Sequence, residues 1–180
     1  VIPHKNPDGD AIGSCIAINE LLKSLGHKSS IISPNNFPDF LKWMDNNSEI
    51  KIHESNPELS NKEILDSDII FTLDFNALSR IGSMGDIVSK SNAKKVMIDH
   101  HQNPEKYAEY TYSDVKMSST CEMVFHFINE LSLTDMINSK IASALYTGIM
   151  TDTGSFKFPL TSFTTHKVVS RLIKKGANGN

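Results

Sequence analysis

The sequence predicts an α/β fold in which a mostly parallel, Rossmann-like sheet is flanked by helices on both faces. Short apolar runs at residues 68–74 and 94–98 suit strands that are buried on both sides. Segments with apolar residues at helical spacing surround these runs, as the crossover connections of a parallel sheet require. The length of 180 residues, with 39% hydrophobic residues, suits one domain with a substantial core.

The first part of the chain predicts a strand end, a polar loop and a helix. Residues 1–2 have the character of a strand's last residues, and we expect the beginning of that strand to lie outside the sequence. The loop at 4–14 leads into an apolar helical stripe at 12–25, which stops at Gly26. Shorter elements follow, namely an extended segment at 29–32, a brief helix at 40–44, a short strand at 50–53 and a helix at 57–65.

The second part of the chain alternates strands with helices until about residue 113. The expected elements are the strand at 68–74, a turn or short helix at 76–81, a helix at 86–91, the strand at 94–98 and an irregular stretch at 102–113. Ser118, Ser119 and Thr120, followed by Glu122, indicate a capping box that starts the next helix. Helices at 138–150 and 164–175 complete the set, and residues 174–180 have the composition of a linker.

Composition limits the classes of function. The net charge of -3 and the pI near 6.2 argue against an extended surface for gripping nucleic acid, and Arg80 and Arg171 are the chain's two arginines. Cys15 and Cys121 both fall in expected helices, which favours buried free thiols over a disulfide. The sequence contains neither a signal peptide nor an apolar run of membrane-spanning length, so we expect a cytoplasmic protein without a membrane partner.

Acidic and histidine side chains recur where the expected elements end. They are His4, Asp8, Asp10, Asp74, Asp99, His100, His101 and Asp152. Any one of them alone is more often a turn former or a helix cap. Four separate places in the chain that present these residue types, at the edge where parallel α/β sheets bind ligands, predict a functional site instead.

The donor types in this set are carboxylate oxygen and imidazole nitrogen, with no thiolate beside them. Such donors favour Mn²⁺ over a structural zinc ion, with Mg²⁺ and Co²⁺ as alternatives. The number of candidate ligands exceeds what one catalytic ion with room for water and substrate would use. Two divalent ions that share a bridging carboxylate would use them all, and such a pair is suited to phosphoryl chemistry.

With these motifs identified, the sequence resembles the DHH phosphoesterase superfamily. The superfamily takes its name from the triplet found here as Asp99, His100 and His101. Its other motifs are similar to HKNPDGDAIGS at 4–14, LD at 73–74 with SRIG at 79–82, and TDTGSF at 151–156. The resemblance is greatest to the oligoribonuclease and 3'-phosphoadenosine-5'-phosphate (pAp) phosphatase group called NrnA-like. Manganese-dependent inorganic pyrophosphatases, which share the leading histidine, are the nearest competitor.

The resemblance implies a set of metal ligands. It implies one metal ion held by His4 and Asp8, a second held by Asp10, His100 and Asp152, and a bridge at Asp74. Members of the family also carry a second, smaller C-terminal domain that grips the substrate, and no segment here matches it. We therefore expect residues 1–180 to be the catalytic domain and the substrate domain to lie outside this chain.

The remaining candidate residues would contact the substrate or support the ligands. By the resemblance, His101 would face the substrate phosphate, and Asp99 would either orient the histidines or cap the strand end. Arg80 would either reach a phosphate or form a structural salt bridge. Backbone groups at Gly13 and Ser14 would offer an anion site beside the metal ligands.

The function implied is hydrolysis of short oligoribonucleotides, linear dinucleotides or pAp to nucleoside monophosphates. Its partners would then be short single-stranded RNA or a small nucleotide, and the question of a homodimer is open. Two alternatives remain at this point. One is a manganese-dependent inorganic pyrophosphatase, and the other is a regulatory module that binds metal or nucleotide without catalysis.

Overall fold

The computed structural model describes residues 1–45 and 49–178 and shows an α/β domain built on parallel strands. Four strands form one sheet, and in spatial order they are β1 (Ile2–Pro3), β4 (Ile69–Leu73), β5 (Lys94–Asp99) and β6 (Tyr110–Ser113). A second parallel pair consists of β2 (Ile32–Ser33) and β3 (Lys51–Ile52). The backbone N–H of Ile32 donates to the Val1 carbonyl at 3.0 Å, so this pair lies beside the start of β1.

Six α-helices and four short 3-10 helices connect the strands within the described residues. The α-helices are α1 (Gly9–Ser24), α2 (Pro57–Leu65), α3 (Met84–Lys90), α4 (Thr120–Glu130), α5 (Ser139–Asp152) and α6 (Phe163–Lys174). The 3-10 helices are Asp39–Met44, His53–Ser55, Leu78–Ile81 and Thr134–Met136. Among the described residues, no helix combines the length and the apolar character needed to cross a bilayer.

Helices cover both faces of the sheet, as the sequence predicts. Phe71 and Leu73 of β4 belong to one buried cluster, together with residues from α1, α4, α5 and α6. Ile70, the residue before Phe71 in the strand, belongs to a second cluster with residues from α2 and α3. Alternate residues of a strand point to opposite faces, so the two clusters lie on opposite sides of the sheet. The predicted α/β fold class is confirmed.

The start of α1 differs from the sequence prediction, and the difference affects the site. The helix begins at Gly9, three residues before the predicted stripe, because the Asp8 side chain caps it. One oxygen of Asp8 accepts from the backbone N–H groups of Asp10 and Ala11, at 3.0 and 3.1 Å. Asp10 is therefore in the first helical turn, where its position is fixed by the helix.

The capping box predicted for α4 is only half formed. Ser119 is the cap and accepts from the backbone N–H of Glu122 at 3.0 Å. The Glu122 carboxylate accepts instead from Ser118 and from Thr165 of α6. A complete capping box occurs at α6, where Ser162 and Thr165 satisfy each other's backbone N–H groups.

Two further predictions need correction. The stretch at 102–113 was expected to be irregular, but its last residues form β6, which pairs with β5. The end of the chain was expected to resemble a linker, yet Ala177 packs against the core and the Asn178 backbone N–H donates to Ser143 Oγ at 2.9 Å. Residues 179–180 of that predicted linker lie outside the described residues.

Candidate metal centre

The parallel order of the strands brings the acidic and histidine side chains together. His4 follows β1, Asp74 follows β4, and His100 follows β5, so their strands end side by side at one edge of the sheet. The first turn of α1 and the last turn of α5 pack against each other at the same edge. Gly9 makes this approach possible, since a Cβ there would clash with the Thr151 side chain.

The first group of donors surrounds the imidazole of His4. Its Nε2 lies 3.5 Å from Oδ2 of Asp74 and 3.9 Å from Oδ1 of Asp8. Its Nδ1 lies 2.8 Å from the Lys5 carbonyl, to which it can donate. That hydrogen bond fixes the ring with Nε2 toward the carboxylates, an arrangement common to imidazoles that bind metals.

The second group surrounds His100 in the same way. Its Nε2 lies 3.4 Å from Asp152 Oδ2, 3.6 Å from Asp74 Oδ1 and 3.9 Å from Asp10 Oδ2. Its Nδ1 lies 3.3 Å from the Met117 carbonyl. Both histidines therefore use one ring nitrogen for a backbone carbonyl and turn the other toward acids.

Asp74 stands between the two groups. Its Oδ2 faces His4, while its Oδ1 faces His100 and accepts from the Thr120 hydroxyl at 2.9 Å. The residue is buried and has a φ of 66°, in the left-handed region that non-glycine residues seldom occupy. Strain of this kind persists where surrounding contacts impose it, and it is common at functional sites.

The donor set fits divalent cations. Three sets of side chains each have ligand atoms within 4.8 Å of one another, namely His4 with Asp8 and Asp74, Asp10 with His100 and Asp152, and Asp74 with His100 and His101. Burial and the charges of Asp74 and Asp152 raise the pKa of Asp10 well above its usual value. Burial raises the pKa of Asp152 to about 6, despite the opposing charge of His100. Carboxylates crowded in this way favour a bound cation.

The two innermost carboxylates are held by fixed donors from α4. The backbone N–H groups of Thr120 and Cys121 donate to the two oxygens of Asp10, at 2.6 and 2.8 Å. These N–H groups belong to the first turn of α4, where they have no partner inside the helix. Asp10 therefore occupies the anion-binding end of a helix, and the Thr120 hydroxyl holds Asp74 beside it.

The centre is closed on one side and open on the other. The side chains of Asp10 and Asp74 are 1% and 3% exposed, whereas those of Asp8 and His101 are 59% and 40% exposed. The side chain of Asp152 is 29% exposed, between these two pairs. A substrate would therefore approach from the side of Asp8, His101 and Asp152, which we call the open side.

On the open side, Asp99 holds His101. Its Oδ1 lies 2.7 Å from His101 Nδ1, and its Oδ2 accepts from the His101 backbone N–H at 3.1 Å. Asp99 thus makes both the orienting contact and the strand-end contact that the sequence leaves as alternatives. The hydrogen bond to Asp99 raises the pKa of His101, and the positive charge of nearby Arg80 opposes the rise. Within the described residues, Arg80 forms no ion pair with a carboxylate.

The predicted anion site at Gly13 and Ser14 is wrong. Both residues are buried in the second turn of α1, where backbone N–H groups are used inside the helix. A Cβ on Gly13 would overlap with the Ala144 carbonyl, so this glycine serves the close packing of α1 on α5. Ser14 is fully buried, and its hydroxyl donates to the Ala11 carbonyl at 3.1 Å.

The sequence does not reveal that the start of α4 contacts the centre. Ser118, Ser119 and Thr120 are interpreted there as helix caps, and the cap at Ser119 is confirmed. The hydroxyl of Thr120 on Asp74 is a further contact that this interpretation does not anticipate. A strand followed closely by the start of a helix would have indicated this contact. Here that strand is β6, which the sequence does not predict.

Fold and donors together define an α/β domain with a carboxylate and histidine centre of the kind that binds divalent cations. Residues 1–149 match the family model described as "DHH family, N-terminal domain", and the chain belongs to this family. The resemblance seen in the sequence is confirmed. The match ends before Asp152, which the structure nonetheless brings to the same centre.

Two relatives align with almost all of this chain. The bifunctional oligoribonuclease and PAP phosphatase NrnA of Bacillus subtilis is 28% identical over 172 residues, which are 95% of this chain and 51% of the relative. The crystal structure of an exopolyphosphatase-related protein from Bacteroides fragilis is 41% identical, with a TM-score of 0.96, over 98% of this chain and 52% of that one.

A more distant structure shows the same fold. It is assigned to a family II inorganic pyrophosphatase of Methanococcus jannaschii and is 19% identical, with a TM-score of 0.71, over 100% of this chain and 58% of its own. At this identity the similarity concerns the fold alone. The chain spans about half the length of the curated relatives it matches.

Proposed function

We propose that this chain forms the catalytic centre of a phosphoesterase that uses two divalent metal ions. Its substrates would be short oligoribonucleotides, linear dinucleotides or pAp, and its products nucleoside monophosphates. The observation that carries the proposal is the meeting of two donor groups at Asp74, one on each side of its carboxylate. The name of the Bacillus subtilis relative supports the choice of substrate class.

The number and placement of the candidate metal ligands support two ions, and we propose Mn²⁺ for both. His4 and Asp8 would hold one ion, and Asp10, His100 and Asp152 the other, with Asp74 between them. Carboxylate and imidazole donors suit Mn²⁺, with Mg²⁺ and Co²⁺ as alternatives. Bound ions of this kind activate water and neutralise the charge of a phosphoryl group.

The open side supplies the contacts to the reacting phosphate. Asp99 fixes Nδ1 of His101, which leaves Nε2 as the ring's other donor for a phosphate oxygen or the leaving oxygen. The side chain of Arg80 is exposed near His101 and available for a second phosphate or a terminal one. These two residues place positive charge and hydrogen-bond donors where negative charge develops in phosphoryl transfer.

The shortage of positive charge favours small substrates. The net charge is -3, which argues against an extended cationic surface of the kind that binding along a nucleic acid requires. A dinucleotide or a bisphosphorylated nucleoside presents one or two phosphates. The bound metal ions, His101 and Arg80 would be enough to bind them. We also propose that the protein acts in the cytoplasm, and the question of a homodimer stays open.

A substrate panel tests the proposal. The protein with Mn²⁺ would be incubated separately with pApA, pAp and pyrophosphate, and AMP and inorganic phosphate would be measured by chromatography. We expect AMP from pApA and pAp without cleavage of pyrophosphate. Cleavage of pyrophosphate alone would support the pyrophosphatase alternative. Bound Mn²⁺ with no turnover of any substrate would support the regulatory module.

A further inference from the structure

Besides Asp99, a second buried carboxylate near the centre lies outside the set of candidate metal ligands. Glu122, in the first turn of α4, is almost fully buried. Its Oε2 accepts from the Ser118 hydroxyl, from the Ser118 backbone N–H at 3.4 Å and from the Thr165 hydroxyl at 2.9 Å. The carboxylate therefore joins the chain just before α4 to the first turn of α6.

The segment that Glu122 joins, residues 117–121, contacts three of the proposed metal ligands. The Met117 carbonyl meets His100 Nδ1 at 3.3 Å. The two backbone N–H groups at 120 and 121 donate to Asp10, and the hydroxyl of residue 120 donates to Asp74. Any shift of this segment would move one histidine and both inner carboxylates together.

We infer that Glu122 is a positioning residue, which holds residues 117–121 in the place where they orient His100, Asp10 and Asp74 for metal binding. The inference rests on the metal binding that the proposed function assigns to the centre, not on the reaction. It assigns a role in the metal site to a side chain that touches neither ion nor substrate.

The orientation of the Glu122 side chain supports this role over simple capping. In a capping box the carboxylate would return to the backbone N–H of the cap, Ser119. Here it points to Ser118 and Thr165, while Ser119 caps the helix without its help. Burying a carboxylate is costly unless donors compensate it, so three donors on one oxygen indicate a fixed structural link.

The ionised state of Glu122 agrees with that link. Burial alone would raise its pKa, but the neighbouring groups of His126, Ser118 and Thr165 lower it below the usual value. Thr165 is itself fixed, because its hydroxyl accepts from the Ser162 backbone N–H at 3.0 Å. The link therefore has a rigid partner on α6.

The test measures Mn²⁺ binding in three variants. Glu122→Ala removes the link, and Glu122→Gln keeps an acceptor oxygen for Ser118 and Thr165. Ile128→Ala removes core packing from the same helix at a residue outside the segment, with the Glu122 link intact. Mn²⁺ affinity would be measured by isothermal titration calorimetry at a temperature where circular dichroism shows each variant folded.

We expect Glu122→Ala to weaken Mn²⁺ binding by about 10- to 100-fold, the usual range for residues that orient metal ligands. Glu122→Gln should remain within about threefold of the wild type, because its amide oxygen accepts the same hydroxyl hydrogens. Ile128→Ala should bind Mn²⁺ as the wild type does. Excess Mn²⁺ should restore hydrolysis of pApA by Glu122→Ala, since the residue acts through the ligands.

The outcomes separate this inference from the proposed function. Wild-type Mn²⁺ affinity in folded Glu122→Ala would overturn the inference, whatever the hydrolysis rate. An equal loss of affinity in Ile128→Ala would also overturn it, because any loss of packing would then have the same effect. A wild-type protein that binds Mn²⁺ but hydrolyses no phosphoester would contradict the proposed function and leave the inference standing. A wild-type protein that binds no Mn²⁺ would overturn both.

Discussion

The inner carboxylates and the open side of the centre are built in opposite ways. Asp10 and Asp74 are almost fully buried, and donors from the start of α4 hold their oxygens. Asp8 is exposed and His101 is partly exposed, and each is held by a contact with a residue two positions away in sequence. In the proposed function, the inner residues would set the position of the metal ions, while the open side would remain available to the substrate.

Holding the inner carboxylates of Asp10 and Asp74 in this buried arrangement costs free energy. Burial and neighbouring negative charge raise the pKa of Asp10, and Asp74 adopts a left-handed backbone conformation. Fixed N–H groups and a hydroxyl offset part of that cost, and bound cations would offset the rest. An arrangement that is unfavourable without its ligand is preorganised for it, so the largest mutational effects should occur at the inner carboxylates.

Asp74→Ala should have the largest effect. We expect loss of both Mn²⁺ ions and a fall in pApA hydrolysis of at least about 10³-fold, since metal assistance is worth several kcal/mol and each 1.4 kcal/mol is a factor of ten. Elemental analysis of the purified variant gives the metal content. Asp39→Ala, which removes an exposed carboxylate paired with Lys42, is the matched control and should retain full activity. Two bound ions in Asp74→Ala would contradict the bridging role.

His101→Ala should affect turnover and leave metal binding intact. We expect kcat to fall by about 10²-fold, in the range for loss of a positioned proton donor, with unchanged Mn²⁺ content. The structure makes this a sharp test, because His101 Nδ1 also lies 3.8 Å from Asp74 Oδ1. If the variant lost one ion, His101 would be a metal ligand, and the distinction between inner residues and open side would fail there.

Asp99→Asn should produce a smaller loss of the same kind. An asparagine can still accept from the His101 backbone N–H, but its amide group no longer provides two carboxylate oxygens for the backbone and the ring. We expect activity to fall by about tenfold, the lower end for partners of active-site histidines, with unchanged thermal stability. A loss of stability without loss of kcat would show that Asp99 serves the strand end alone.

Much of the fold follows from local sequence signals. The helix at 57–65 is where the sequence predicts it, because Asn56 caps it and Pro57 suits its first turn. The strand before Asp74 is also predicted, since its residues are apolar on both faces. β6 is not predicted, because Tyr110 and its neighbours are exposed on an edge strand whose existence depends on pairing with β5.

The sequence predicts which side chains form the site, but it does not predict the hydrogen bonds that hold them in place. Acids and histidines at strand ends identify the donors, because a parallel sheet must bring those ends together. The contact between Thr120 and Asp74 joins residues 46 positions apart, and nothing local in the sequence indicates it. The error at Gly13 and Ser14 has a local cause, because Asp8 caps the helix earlier than the apolar stripe begins.

Arg80→Ala should have the smallest effect and complete the comparison on the open side. The side chain is exposed, and the Arg80 carbonyl accepts from the Lys5 backbone N–H at 2.8 Å, which fixes its position beside His4. An exposed contact to phosphate is worth up to about 1 kcal/mol, so we expect KM for pApA to rise by about fivefold with little change in kcat. Arg171→Ala, at the exposed last turn of α6, is the matched control and should leave both constants unchanged. A fall in kcat comparable to that of His101→Ala would place Arg80 on the reacting phosphate, and the open side would then have two residues that act on the chemical step.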